Sequence, residues 1–95
     1  MYTAQTAAIA TLTAEYRKAR QLYAQAAANY SILQNHSHTY AAAQRAAGIP
    51  CTPDDILTAA WEGVLSLRRQ FRTLSAQALA LGLITYADYM VDCRL

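Results

Sequence analysis

The sequence predicts an all-α fold: an antiparallel helical hairpin or small three- to four-helix bundle, with two long heptad-patterned helices and a short C-terminal helix. Three observations carry that prediction. Alanine makes up about a fifth of the 95 residues while glycine and proline contribute 3 and 2, which favours helix and leaves little material for turns or sheets. Apolar residues recur in alternating steps of three and four along two long stretches. The few helix breakers fall between those stretches and just after the second, where helices would have to end.

The first helix is expected over 3–47, opening near Thr3 as N-cap. Its stripe is Ile9, Leu12, Tyr16, Ala19, Tyr23, Ala26, Tyr30 and Leu33, and the same steps continue through Ser37, Tyr40, Gln44 and Ala47. The tetrad Asn35-His36-Ser37-His38 has poor helix propensity, so a kink or break near 35–38 stays open. Gly48 supplies a C′ glycine and Pro50 cannot continue the ladder, which ends the helix firmly.

The second helix is expected over 53–81. Thr52 is a hydroxyl N-cap, Pro53 suits the first helical position, and Asp54 and Asp55 complement the helix dipole in the first turn. Its seam is Leu57, Ala60, Val64, Leu67, Phe71, Leu74, Ala78 and Leu81, widened by Trp61 and Leu65 toward a second surface; Gly82 ends it. A third helix over 85–93 starts at Thr85-Tyr86-Ala87-Asp88, which resembles a capping box, with Ile84 and Tyr89 placed as a hydrophobic staple.

The turn between the long helices is short, so they should lie antiparallel in a single domain over 1–95. At about 1.5 Å per residue an unbroken first helix would span roughly 67 Å against roughly 43 Å for the second, leaving about fifteen N-terminal residues overhanging. The third helix, a second copy of the chain, or a break near His36 would each remove that overhang.

Chemistry is sparsely represented. His36 and His38 point roughly 200° apart on a helix and cannot grip one ion, and Cys51 and Cys93 belong to opposite ends of a hairpin, so neither a metal site nor a disulfide is expected. No paired carboxylates, nucleophile elbow, phosphate-binding glycine loop or zinc-protease motif occurs, and neither an enzyme nor a cofactor is expected. The longest apolar run, from Ala78 to Ile84, falls well short of the roughly 20 residues of a membrane span, and the N-terminus lacks the pattern of a secretory signal. With only two cysteines, the expected compartment is a reducing cytoplasm. Seven of the eight basic residues are arginine, which together with the alanine excess reads as GC-rich coding, as in a bacterium or its phage.

What stands out is surface. Arg17, Lys18 and Arg20 cluster on the first helix and Arg68, Arg69 and Arg72 on the second, the latter with no acid three or four residues away. Tyr16, Tyr23 and Tyr30 recur every seventh residue opposite small alanines, and each phenol needs a partner for its hydroxyl. Tyrosine and arginine dominate binding interfaces, so these nine residues are the candidate partner-binding set. The expected partner is a host protein or ribonucleoprotein complex, with nucleic acid a lesser alternative at a net charge of only +2, no membrane, and a homodimer also open to the chain.

Trp61-Glu62-Gly63 is similar to the W-x-G of small helical-hairpin secretion substrates, in which that motif occupies the hairpin turn rather than a helix interior. The turn around Gly48-Ile49-Pro50-Cys51-Thr52-Pro53-Asp54 resembles the proline-containing turn of type III secretion needle subunits, which lack a third helix. Neither match assigns the chain. The expected function is stoichiometric binding by a small bacterial or phage-encoded inhibitor or adaptor, a class that includes anti-CRISPR proteins. The alternative is a homo-oligomeric structural or secretion-associated coiled-coil protein.

Overall fold

The computed structural model describes residues 2–95, with side chains from Gln5 onward. It contains three helices, α1 (Tyr2–Ala46), α2 (Pro53–Ala80) and α3 (Tyr86–Arg94), and no strand among the described residues. α1 runs without interruption through His36 and His38, which makes the long hairpin the observed architecture. Helix already includes Tyr2, so Thr3 is not the cap; its side chain lies outside the described residues.

The ends of α1 and α2 and the starts of α2 and α3 follow from local chemistry. α1 and α2 close with the same pattern: the Ile49 amide donates to Gln44 and Gly48 to Arg45, as Leu83 does to Ala78 and Gly82 to Leu79. These are Schellman motifs, which need a left-handed residue, and Gly48 and Gly82 have φ of 82° and 70°. α2 and α3 open with full capping boxes. Thr52 and Asp55 exchange side-chain and backbone hydrogen bonds at 2.9 and 3.2 Å, and Thr85 and Asp88 at 3.3 and 3.1 Å.

The core lies at mid-length of the hairpin, where Ala19, Tyr23, Val64 and Phe71 are buried together and Tyr16, Ala26, Tyr30, Leu67 and Leu74 pack around them. Phe71 is 0% exposed and meets the rings of Tyr16 and Tyr23 at centroid distances of 5.9 and 5.7 Å. The small alanines let the helices approach while these three rings fill the space between.

Two features depart from the sequence expectation. Toward the turn, Ala41 rather than Tyr40 is buried beside Ser37. A straight helix drifts by about 20° per heptad against a 3.5-residue repeat, and four heptads separate Leu12 from Tyr40, enough to rotate Tyr40 off the seam. The N-terminal overhang is also shorter than expected, because Gln5, Ala8, Ile9 and Leu12 share a trough with Ala80 and Leu81. Residues 49–52 are not helical, and Thr52 at their end is extended, with φ of −108° and ψ of 160°. The Arg45 guanidinium holds that segment by donating to the Cys51 carbonyl at 2.9 Å.

α3 lies on one broad side of the hairpin, so the molecule measures 58 × 26 × 14 Å. It packs directly on α2, yet no Cα of α3 comes within 8 Å of one in α1. Long side chains bridge that gap.

Candidate functional site

The bridge is a polar clasp centred on Asp92, which is 3% exposed. The Tyr16 hydroxyl donates to Asp92 Oδ2 in a short hydrogen bond, the Ser75 hydroxyl donates to the same oxygen at 3.3 Å, and Arg20 Nε donates to Oδ1 at 3.3 Å. Two turns along α1 from Tyr16, the Tyr23 hydroxyl donates to the Leu95 carbonyl, and from α2 the Arg72 guanidinium donates to the Cys93 carbonyl at 3.3 Å. A buried carboxylate is costly without such donors, and here three side chains from two helices supply them. Burial and the bond to Asp92, which favours the neutral phenol, push the pKa of Tyr16 from 10.0 up to about 12.

The clasp assigns part of the candidate set to internal work. Tyr16, Tyr23, Arg20 and Arg72 all hold the C-terminal segment, so two of the three phenols find their partners inside the chain. Tyr30, one heptad beyond Tyr23, lies past the end of α3 and packs its ring on Trp61 at 5.2 Å. The pair sits in a shallow depression with Gln34, Leu57, Thr58 and Glu62, and Trp61 remains 44% exposed because α3 packs lower down, at Ser75.

The hairpin also redistributes the two basic clusters. Arg17 and Arg20 line the α1 flank of α3 beside Val91, and Arg72 lines the α2 flank beside Tyr89. Arg68 lies one turn before Arg72 on the same side, with its Nε buried and without a hydrogen-bond partner. Arg94 adds a further cation in the last turn of α3. Lys18 and Arg69 line a groove on the opposite side of the hairpin. Sequence neighbours thus part company, while residues some fifty positions apart converge around α3.

Asp92 and Ser75 are the residues that sequence reasoning missed. A signal existed for Ser75, which stands four residues after Phe71 and three before Ala78, at core spacing. Asp92 had no equivalent, since its burial depends on which side of the hairpin α3 occupies. Among the described residues no group of three or more histidine, cysteine, aspartate or glutamate side chains is placed to hold a metal ion, and both cysteines are free. No described helix is long and apolar enough to cross a membrane. Comparison of the chain with protein-family models, curated proteins and solved structures gives no match.

Proposed function

We propose that the protein acts by stoichiometric binding, as a non-catalytic inhibitor or adaptor that covers a functional surface of a host protein or ribonucleoprotein complex. The observation that carries this reading is the basic collar around α3, where Arg17 and Arg20 on one flank and Arg72 on the other frame a helix clasped by its own carboxylate, with Arg68 one turn before Arg72 on α2. Asp92 consumes the charge of Arg20, but neither Arg17 nor Arg68 forms an ion pair among the described residues. Next to the collar, the half-exposed Trp61 and its neighbour Tyr30 offer the aromatic area that anchors interfaces. A cationic rim with an aromatic anchor suits an acidic protein surface or the phosphates of a ribonucleoprotein. The compartment expected for this role is the cytoplasm of a bacterial host, and small phage-encoded antagonists such as anti-CRISPR proteins are the class it fits.

The test is co-purification from a bacterial host lysate with the tagged chain and an Arg17→Glu/Arg68→Glu variant, both showing the same helical circular dichroism. The wild type should retain a stoichiometric partner and the variant should lose it. Equal capture by both refutes the collar as the binding surface. Retention on generic duplex or single strands that collapses with added salt would identify nucleic acid as the ligand instead.

A further inference from the structure

Trp61 is the one tryptophan of the chain, and its ring packs on Tyr30 with centroids 5.2 Å apart and planes inclined at 49°. At 44% exposure, much of the indole still faces the depression of about 600 Å³ that it lines with Tyr30, Gln34, Leu57, Thr58 and Glu62. The surrounding half of the hairpin is acidic although the chain as a whole carries a net charge of +2. Between Gln21 and Leu67 the sequence sets one arginine, Arg45, against three carboxylates, Asp54, Asp55 and Glu62. Arg45 is held by the Cys51 carbonyl, and Asp55 is used in the capping box with Thr52. Glu62, in the depression itself, forms no ion pair among the described residues. Along α2 the basic residues begin only with Arg68, two turns or about 10 Å beyond Trp61.

We propose that this depression binds the guanidinium group of an arginine side chain on the partner protein. The faces of the indole and phenol rings carry the negative lobe of their quadrupoles, and the Glu62 carboxylate adds a full negative charge beside them, so the complementary occupant is a cation. Three kinds of organic cation differ in how they meet these groups. A guanidinium is planar, so it can lie on an indole face while its N–H edge donates to a carboxylate and an amide oxygen, which Glu62 and Gln34 supply. A lysine ammonium is a compact point charge that cannot stack, and its stronger hydration opposes transfer onto an aromatic surface. A quaternary ammonium has no N–H and would leave the oxygens of Glu62, Gln34 and Thr58 without a bond. The site rests on the reading of the chain as a partner-binding protein and adds a contact of opposite sign to the collar. The partner would meet the collar with acidic groups and this depression with a basic one.

Nuclear magnetic resonance of the full chain tests it, because the single indole N–H reports on Trp61 alone. Titration with N-acetylarginine amide should move that resonance saturably, with a dissociation constant in the millimolar range. N-acetyllysine amide and tetramethylammonium should bind at least threefold more weakly at equal ionic strength. Glu62→Gln, at an exposed position, should weaken the arginine probe at least threefold, whereas Arg17→Glu on the collar should leave its affinity unchanged. An indole resonance that stays in place overturns the proposal. Lysine amide or tetramethylammonium binding as tightly as arginine amide overturns the guanidinium assignment, and a Glu62→Gln chain that binds like wild type overturns the role of the carboxylate. The chain is titrated by itself, so failure here leaves the collar standing, and equal lysate capture by the collar variant leaves this site standing.

Discussion

At the residue scale the clasp rests on one carboxylate. Removing it in Asp92→Ala leaves the Tyr16 and Ser75 hydroxyls and Arg20 without their acceptor, and we expect a loss of about 2–3 kcal/mol with early proteolytic cleavage near α3. Urea denaturation and limited proteolysis measure both, and undiminished protection of α3 would show that packing on α2 alone retains it. Tyr16 has a pH signature of its own. Its folded pKa of about 12 exceeds the ordinary 10.0, so the folded chain keeps a proton that the unfolded chain releases. The associated stability is complete below about pH 10 and disappears as the pH rises toward about 12. Tyr16→Phe should lower stability near neutrality by about 1 kcal/mol and flatten the decline above pH 10. Denaturation midpoints across that range decide the matter, and identical slopes would dissociate Tyr16 from the alkaline loss.

At the scale of elements, the three glycines separate conformational need from mere occurrence. Gly82 sits at φ 70° to close α2, so Gly82→Ala should destabilise by about 1 kcal/mol. Gly63 lies inside α2, and an added Cβ there meets nothing within 4 Å. Gly63→Ala should therefore stabilise by about 0.5–1 kcal/mol through helix propensity alone. Thermal melts that shift in opposite directions confirm the contrast, whereas a destabilised Gly63→Ala would mean that the open side of α2 needs a bare backbone. The elements were the legible part of the sequence, because Gly48, Thr52-Pro53, Gly82 and Thr85 act through bonds within a few residues of themselves. The seam was legible through its central heptads and lost toward Tyr40, where accumulated drift outweighs a fixed repeat. Illegible were how far back along α1 the second helix reaches and the side on which α3 docks, and with it the burial of Asp92. Both depend on contacts between residues far apart in the chain.

For the whole molecule, length exceeds thickness several-fold and the core occupies the middle, so stability should be graded along the rod. Amide hydrogen exchange is expected to be slowest around Ala19, Tyr23, Val64 and Phe71 and fastest toward both ends. Phe71→Ala empties the space where the Tyr16 and Tyr23 rings meet, and its cost of about 3–5 kcal/mol is a large share of the roughly 5–15 kcal/mol that holds a small domain. Loss of the cooperative melt is the expected outcome, and a variant that still melts cooperatively within a few degrees of wild type would place the stabilising core elsewhere. The bridge of long side chains between α3 and α1 also sets an order of assembly. Tyr16 and Tyr23 reach acceptors more than seventy residues later in the chain, so their hydroxyls stay bonded to water until α1 and the C-terminal segment meet. The ring cluster is made by α1 and α2, and what α3 adds is the set of acceptors for those two hydroxyls. A chain cut after α2 would keep the ring cluster and lose the intrachain acceptors of both phenols.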